Sequence, residues 1–232
     1  MDDQMVQETR HGALTIVSIA CNPFLTNSYV VYSDGEAVIV DASPVTPGEV
    51  DAMASCIEDR ELEVVRALLT HAHIDHILGC DALSERLGVT WEIHPADLPL
   101  FDRAPDQAAM FGIPVRTDSR PLATLDESES VVFGKSILHV RHTPGHSPGS
   151  VSFVDEKNAV ALVGDVLFRG SIGRTDLWQG SMPVLLSSIE RVLMPLANDV
   201  AVFSGHGPAT TIGVERRSNP FLQSVERENE SR

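Results

Sequence analysis

The sequence predicts an α+β fold in which two mixed β-sheets lie between outer layers of helices. Short strand-like runs are interrupted by helical stretches, and the first runs follow one another closely enough to pair as antiparallel neighbours. The chain has 232 residues and contains no internal repeat, low-complexity segment or linker. We therefore expect one domain that extends over residues 1–232.

The opening segment predicts strands, a hairpin and a helix. Three runs of apolar and β-branched residues predict strands at 14–20, 28–33 and 37–41. Asp34-Gly35, between the last two, is typical of a tight hairpin turn. A helical pattern with an early proline and an acidic first turn covers 47–59. The apolar run 64–70 predicts a buried strand that leads directly into His71.

The rest of the sequence also predicts both strands and helices. Further strands are predicted at 89–93, 131–133, 137–142, 151–154, 159–164 and 200–204. Helices are predicted at 77–87, 95–101 and 182–193, with a short C-terminal helix that includes 215–219. Prolines and acidic residues weaken the pattern between 102 and 130. We expect a long surface excursion there, which is the candidate lid or specificity element.

The charge balance and the cysteines restrict partners and compartment. Lys and Arg number 17 against 33 Asp and Glu, so the formal net charge is −16. This disfavours nucleic acid and anionic membranes as partners; a solvated acidic surface and a field that concentrates cations at a metal site both fit it. The three cysteines are scattered without a CxxC spacing, residues 1–4 are polar, and no apolar run approaches the roughly 20 residues of a membrane span. We expect a cytoplasmic protein.

The segment 70–76 is the most informative part of the chain. Side chains alternate along a strand, so His71 and His73 at the end of the predicted strand point to the same side and can hold one metal ion. Asp75 and His76 follow where the chain turns into the next helix and can reach a second ion. Surface histidines on a loop are the alternative explanation of this segment taken alone.

Three further residues disfavour the explanation that these are surface histidines on a loop. His146, Asp165 and His206 each follow a predicted strand and are set among glycines. A carboxylate at Asp165 can bridge two cations. Five imidazoles and two carboxylates at strand ends therefore predict a site for two metal ions.

These residue types also predict the chemistry of the site. Nitrogen-rich ligands with carboxylates and no thiolate suit zinc, and they also accept iron or manganese. Two ions about 3.5–4 Å apart would share a hydroxide, because a bound metal lowers the pKa of water from about 15.7 toward 7. Asp75 would act as the catalytic residue by hydrogen-bonding and aiming this nucleophile, while the metals polarise the substrate carbonyl.

Other polar and aromatic residues have a weaker context. Surface or packing roles are expected for three histidines, His11, His94 and His139. His142, four residues before His146, is a candidate for supporting a ligand. Cys80 is expected to be a small buried residue and not a nucleophile. Trp178 can either line a pocket or pack.

The predicted ligands carry a resemblance to the metallo-β-lactamase superfamily. They are, in chain order, His71, His73, Asp75, His76, His146, Asp165 and His206. The resemblance implies an αββα sandwich with the metals at one edge of the sheets. By matching position, it implies that one ion is held by His71, His73 and His146. It implies that the second is held by Asp75, His76 and His206, with Asp165 bridging.

A narrower resemblance is to the small bacterial glyoxalase II-type hydrolases. It is carried by the segments 164–168, 171–177, 205–208, 210–213 and 219–222. Members of that group hydrolyse S-lactoylglutathione and related thioesters, which implies a small-molecule thioester substrate. We expect no separate helical domain of the kind that helps larger glyoxalase II enzymes bind glutathione. Arg216 and Arg217 are then the candidates for binding the carboxylates of such a ligand, with plain surface charge as the alternative.

One loop departs from this pattern and keeps other activities open. Trp178-Gln179 stands where small glyoxalases place Pro-Gly, and the ends of the loop 169–180 resemble persulfide dioxygenases, an iron-dependent branch of the superfamily. The leading hypothesis is thioester hydrolysis by attack of a metal-bridging hydroxide, without a covalent intermediate. The alternatives are a mononuclear-iron persulfide dioxygenase and a hydrolase of another small ester or lactone. The complete ligand set disfavours a non-catalytic metal-binding protein.

Overall fold

The computed structural model describes residues 6–113 and 123–223. Two sequence predictions, the polar N-terminus at 1–4 and the 114–122 part of the surface excursion, lie outside the described residues. Elsewhere the predicted α+β architecture is confirmed: two large mixed sheets are covered by helices on their outer faces. No helix in the described ranges has the length and apolar character to cross a membrane.

In the first sheet each strand is hydrogen-bonded to the strands that precede and follow it in the sequence. Its strands within the described ranges are β1 (Val6–His11), β2 (Leu14–Cys21), β3 (Thr26–Ser33), β4 (Glu36–Val40), β5 (Glu63–Leu68), β6 (Trp91–Ile93) and β7 (Ala123–Thr124). β1 to β4 pair antiparallel, and β4 to β7 pair parallel. The predicted hairpin joins β3 to β4, and Asp34 and Gly35 have φ values of 52° and 85°, as a tight turn between twisted strands requires.

The second sheet has the order β15-β14-β11-β10-β9-β8. These strands are β8 (Ser130–Phe133), β9 (Ser136–His142), β10 (Val151–Asp155), β11 (Val160–Gly164), β14 (Ala201–Ser204) and β15 (Thr210–Thr211). β11 and β14 are parallel, and the other neighbours are antiparallel. A separate ribbon, β12 (Leu167–Phe168) and β13 (Ser171–Ile172), follows β11.

The helices are short. Over the described residues they are α1 (Pro47–Glu58), α2 (Ile74–Ile77), α3 (Cys80–Leu87), α4 (Leu98–Phe101), α5 (Ala104–Phe111), α6 (Met182–Ser188) and α7 (Ile212–Ser218). A 3₁₀ turn, Pro95–Asp97, precedes α4, and a π-helical stretch, Ile189–Leu193, continues α6. At the start of α1 the side chains of Thr46 and Glu49 form a capping box, which satisfies backbone N–H groups that have no partner within the helix.

Six of these elements are not predicted from the sequence: β1, α5, β7, β12, β13 and β15. β1 is an exposed edge strand of mostly polar residues, and α5 lies in the segment expected to be irregular. The ribbon of β12 and β13 and the two-residue strand β15 are too short to show a period. The helix predicted over 77–87 is two helices that are separated at Gly79.

Three apolar clusters show how the layers are stacked. Val30 and Val31 of β3 point to opposite faces because strand side chains alternate, yet both are fully buried. Val31 packs between the sheets with Phe153 of β10, and Val30 packs on the outer side with Met53 of α1. The outer face of the second sheet packs on α6 through Leu185. The layer order is therefore helix, sheet, sheet, helix.

The same edge of both sheets carries the predicted ligands. His71 follows β5, Asp165 follows β11 directly, and His206 comes two residues after β14. His146 lies in the loop after β9. Strands from both sheets therefore deliver side chains to one edge of the sandwich.

Candidate metal centre

The seven predicted ligand residues come together at this edge in three overlapping groups of three, one of which joins His71, His76 and Asp165. The nitrogen group is His71, His73 and His146, and the mixed group is Asp75, His76 and His206. Within each group, one ligand atom from every residue lies within 4.8 Å of the others. Asp165 lies between the groups: its carboxylate oxygens are 3.5 Å from His146 Nε2 and 3.5 Å from His76 Nε2 and His206 Nε2.

Backbone carbonyls set the tautomer of two imidazoles. His146 Nδ1 donates to the Arg174 carbonyl at 2.8 Å, and His206 Nδ1 donates to the Phe24 carbonyl at 3.2 Å. Since the proton of a neutral imidazole is then on Nδ1, the lone pair is on Nε2, which faces the cluster in both residues. This is the arrangement that a metal ligand needs.

Asp41 orients His76 from behind. Its Oδ2 accepts a 2.8 Å hydrogen bond from His76 Nδ1, and its two oxygens also accept from the backbone N–H and the hydroxyl of Thr70 at 2.7 and 2.9 Å. Asp41 is fully buried at the end of β4. His76 Nε2 therefore points at the centre, and the chain entering His71 is held in place at the same time.

Asp97 joins the two loops that supply the nitrogen group. This buried carboxylate accepts from the Ala72 N–H at 2.9 Å, the Ser147 hydroxyl at 2.7 Å and the Gly149 N–H at 2.5 Å. Burial raises the pKa of Asp97, against the lowering effect of these hydrogen bonds. The loop after β5 and the loop after β9 are thus fixed to each other by one side chain.

Gln107 of α5 ties the helix to the same segment. Its amide nitrogen donates to the Ala72 carbonyl at 3.1 Å, and its amide oxygen accepts from the Ile74 N–H at 3.1 Å. The position of α5 relative to the centre is therefore set by a pair of hydrogen bonds.

The electrostatics differ between the two groups. Burial and the neighbouring imidazoles lower the pKa of His71 well below its usual range, and burial lowers the pKa of His73 to about 3. Burial would also lower the pKa of His76, but Asp75, Asp41 and Asp165 raise it well above normal. His71 and His73 are therefore neutral at pH 7, whereas the carboxylates around His76 favour a positive charge in the mixed group.

The two carboxylates of the centre stay ionised. Burial opposes ionisation of Asp165, but His76, His146 and His206 lower its pKa to about 2. The pKa of Asp75 is lowered further, because His76 and His206 again outweigh burial. Burial lowers the pKa of His206, but Asp75 and Asp165 raise it above normal.

Two observations show that the donors fit a metal cation. His76 Nε2 and Asp165 Oδ1 are buried and have no hydrogen-bond partner, which is costly unless a cation or proton lies between them. The cluster is also tightly built around this point: a Cβ on Gly205 would collide with Asp165 Oδ1 and lie 2.6 Å from His76 Cε1. Glycine is therefore required immediately before His206.

A cavity of about 500 Å³ opens beside the centre. It reaches His73, Asp75 and His146 at one end, and it is walled by apolar side chains that include Phe24 and Trp178. Trp178 therefore lines a pocket, and it also packs against the core beneath α5. A second cavity of about 470 Å³ lies beyond Asp165 and His206, against Phe168 and Arg169.

The expected substrate arginines lie elsewhere. Arg216 donates to Asn198 and to the carbonyls of Met194 and Leu196, so its guanidinium fixes the turn before β14. Neither Arg216 nor Arg217 is among the described residues that line the two cavities. That these arginines bind a substrate carboxylate stays a prediction, and the contacts of Arg216 do not support it.

The remaining candidates have structural contacts. His142 stacks on His94 with ring centroids 4.2 Å apart and donates from Nε2 to the Pro148 carbonyl at 2.8 Å, so it supports the loop of His146 and not the imidazole itself. His11 meets Phe203 edge to face, and His139 bonds to the Ser130 hydroxyl. Cys80 is buried as expected, and burial raises the pKa of its thiol well above normal.

Comparison with known proteins decides the family. The family model for the metallo-beta-lactamase superfamily matches residues 21–206. The chain belongs to this superfamily. Over 217 residues it is 37% identical to the hydroxyacylglutathione hydrolase GloC of Haemophilus influenzae, an alignment that covers 91% of this chain and 99% of the relative.

Solved structures of the superfamily share the fold. The BLEG-1 B3 metallo-beta-lactamase has a TM-score of 0.81 at 40% identity and covers 88% of this chain and 98% of its own. TTHA1623, solved in a di-iron-bound form, has a TM-score of 0.79 at 37% identity, with coverage of 88% and 99%. ETHE1 from Myxococcus xanthus has a TM-score of 0.68 at 23% identity, with coverage of 97% and 91%, a likeness of fold alone.

Proposed function

We propose that this superfamily member is a metal-dependent hydrolase of thioesters of the S-lactoylglutathione type, with two divalent ions at the centre. One observation carries the proposal: Asp165 lies 3.5 Å from imidazole nitrogens of both the nitrogen group and the mixed group. A carboxylate in that position suits a bridging ligand. We propose the nitrogen group as the ligands of one ion and the mixed group as the ligands of the other, with zinc favoured by the donors.

Side chains of the protein hold the reacting groups in position. When bound, two divalent ions supply a hydroxide nucleophile near neutral pH and polarise the substrate carbonyl. Asp75 is held by the Thr26 hydroxyl, which donates to its Oδ2 at 2.8 Å, and this oxygen lies 3.1 Å from His206 Nε2. Because Asp75 remains a carboxylate, it can accept a hydrogen bond from the attacking water and aim it.

The ionised state of the centre favours a leaving group that needs no proton. Both Asp75 and Asp165 have lowered pKa values, so neither is a general acid at neutral pH. A thiol has a pKa of about 8.5 and departs readily as the thiolate, whereas an amine must be protonated first. Thioester hydrolysis therefore matches the groups that face the cavity.

The relatives support the same reaction and leave the metal open. GloC is by name a hydroxyacylglutathione hydrolase, and the alignment spans nearly all of it. TTHA1623 binds two irons, which fits a centre whose nitrogen and carboxylate donors accept iron as well as zinc.

The decisive experiment follows loss of thioester absorbance with S-lactoylglutathione and zinc-loaded protein. We expect hydrolysis that a chelator abolishes and added metal restores. His146→Ala should lower both metal content and turnover, whereas His139→Ala, a histidine change outside the centre, should alter neither. The proposal fails if fully loaded protein does not hydrolyse the thioester, or if His146→Ala keeps two ions and the wild-type rate.

The loop 169–180 supports a second candidate, an iron-dependent persulfide dioxygenase. Its ends resemble that branch in sequence, and its residues Arg174 and Trp178 face the 500 Å³ cavity. Oxygen uptake with glutathione persulfide by protein that holds one iron would establish this activity. Two ions and no oxygen uptake would exclude it. A lactone or another small ester, included in the same substrate panel, tests the remaining alternative.

A further inference from the structure

The 500 Å³ cavity beside the centre has an exposed apolar wall. Phe24 and Phe111 meet edge to face with centroids 5.1 Å apart. Phe111 is 53% exposed and Met110 is 77% exposed, and both line the cavity together with Trp178. Large apolar side chains grouped around a concave surface mark a ligand-binding site. A bound ligand is expected to cover them.

This wall has a fixed position relative to the predicted metal ligands. Met110 and Phe111 belong to α5, and Gln107 of the same helix is hydrogen-bonded to both sides of the Ala72–Ile74 segment. The distance between the apolar wall and the reacting carbonyl is therefore set by the fold. A substrate with an apolar group at the matching distance gains contact area without having to order a loop.

Arg103 supplies a positive charge in the same cavity. Its guanidinium lies over the Trp178 ring, with Cζ 5.9 Å from the centroid. A guanidinium over the face of an indole is attracted by the ring, and the N–H donors at its edge can form two parallel hydrogen bonds to a carboxylate. In the described part of the chain its ion-pair partner is Asp106, at 3.9 Å, and both side chains are more than half exposed.

The other arginine that lines this cavity is already engaged. Arg174 donates two hydrogen bonds of 2.8 Å to the two oxygens of Asp176. Its charge is compensated, whereas that of Arg103 is only loosely paired. The protein carries 33 acidic against 17 basic residues, so an available arginine beside the centre is the feature most able to attract an anionic substrate.

We propose that this cavity is the subsite for the non-reacting part of the substrate and selects thioesters that carry an apolar group followed by a carboxylate. The apolar group packs on Phe24, Phe111 and Trp178, and Arg103 binds the carboxylate. The reaction in this proposal rests on the thioester hydrolysis proposed above, and the binding rests on the cavity itself. Recognition is thereby assigned to α5 and the residue before it.

Two substrate pairs test the selectivity and show which part of the thioester carries the charge. In the first pair the thiol differs: S-phenylacetyl-3-mercaptopropionate against the 3-mercaptopropionamide thioester. In the second the acyl group differs: the S-ethyl thioester of 4-(carboxymethyl)phenylacetate against its carboxamide. For at least one pair we expect about tenfold higher kcat/KM with the carboxylate, equivalent to one well-formed ion pair.

Arg103→Gln should remove this preference. We expect the ratio of KM for the carboxylate substrate to KM for the neutral substrate to rise about tenfold, because the interaction is made equally in the ground and transition states. Arg86→Gln is the matched control, since Arg86 lies on α3 and pairs with Glu58; it should keep the full preference. No preference in either pair, or a preference that survives Arg103→Gln, overturns the proposal.

Binding without reaction separates this proposal from the hydrolase proposal. The thioether 3-(phenethylthio)propionate cannot be hydrolysed, and its amide lacks the charge. The chain has two tryptophans; Trp91 is buried and Trp178 lines the cavity, so a fluorescence change that is lost in Trp178→Phe reports the subsite. We expect metal-loaded protein to bind the carboxylate about tenfold more tightly than the amide, and Arg103→Gln to bind both equally.

The combined outcomes are distinct. If the thioether carboxylate is preferred but no thioester is hydrolysed, the subsite stands and the hydrolase proposal fails. If thioesters are hydrolysed without discrimination and the amide binds as well as the carboxylate, the subsite proposal fails and the hydrolase stands.

Discussion

The nitrogen group and the mixed group lie side by side but are built in different ways. His71 and His73 are buried imidazoles with lowered pKa values, so their lone pairs are free at neutral pH. The mixed group includes a carboxylate, the His206 side chain is 30% exposed, and ion pairs raise the pKa of His76 and His206. A cation therefore meets neutral imidazoles at His71 and His73, whereas it displaces protons from the mixed group.

This difference shows how one sheet edge brings together two unequal groups of donors. The nitrogen group comes from loops that Asp97 joins, and its side chains are buried. The mixed group spans the start of α2 and the loop after β14, and Asp41 holds it only at His76. We therefore expect the nitrogen group to be the tighter and less pH-dependent of the two sites.

The largest expected effect is that of removing a ligand of the nitrogen group. His71→Ala should lower kcat by more than about 100-fold, beyond the 10- to 100-fold typical of changes behind the ligands, and should lower the content of both ions. His206→Ala, its counterpart in the mixed group, should retain one ion. Metal analysis of both variants with kcat measurements checks this. The opposite pattern, with two ions lost in His206→Ala and one in His71→Ala, would reverse the comparison.

The next largest effect is expected from substitution of the two anchoring carboxylates, Asp97 and Asp41, each of which should affect a different group of ligands. Asp97→Asn places an N–H₂ among the donors that now bind the carboxylate, and Asp41→Asn does the same beside His76 Nδ1. We expect each change to weaken metal binding about 10- to 100-fold and to lower the free energy of unfolding by about 1–3 kcal/mol. Asp97→Asn should act on the nitrogen group and Asp41→Asn on the mixed group.

A competition titration with a chromophoric chelator, together with urea unfolding of the metal-free variants, measures these two effects. If both variants weaken the same binding step, the anchors do not act separately and the assignment of one anchor to each group is wrong.

The ligands could be predicted from sequence because they follow strands at short, fixed spacings. The anchors could not, because Asp41 and Asp97 are single acidic residues whose partners lie 25 to 52 positions away in the chain. A signal existed for Asp41: it ends a predicted strand at the edge where His71 emerges. Asp97 fell inside a predicted helix, where an acidic residue is ordinary.

The residues of the proposed substrate subsite are harder to predict from the sequence than the metal ligands and their anchors. α5 begins with a proline in its first turn and ends at Gly112 in the left-handed region, which are ordinary helix signals. Because the surrounding segment is rich in prolines and acidic residues, these helix signals do not stand out in the sequence. Arg103, Met110 and Phe111 are therefore not predicted as site residues. The sequence favours Arg216 as a ligand-binding residue because an arginine on a terminal helix has the same sequence context whether it binds a ligand or backbone carbonyls. Here it binds backbone carbonyls.

The proton exchange itself can be measured. In the metal-free protein the pKa of His76 is raised well above normal and that of His206 is raised. Metal binding at the mixed group should therefore displace protons, and its affinity should fall about tenfold per unit decrease in pH for each proton displaced. His71 and His73 are already neutral, and the nitrogen group should release fewer protons. Calorimetry at pH 7 in two buffers of different ionisation enthalpy counts them. Equal proton release in both binding steps would remove the basis of the comparison.

The smallest expected effect comes from an uncharged anchor of the mixed group. The buried Thr26 hydroxyl donates to Asp75 Oδ2 at 2.8 Å, and Thr26→Val removes that bond while keeping the side-chain shape. A hydrogen bond contributes about 1 kcal/mol, so binding at the mixed group should weaken about fivefold while binding at the nitrogen group is unchanged. Thr15→Val, at a buried threonine of β2 opposite Tyr32, is the control. An equal loss at both groups would mean that Asp75 serves both ions, and the two halves would then have to be treated as one unit.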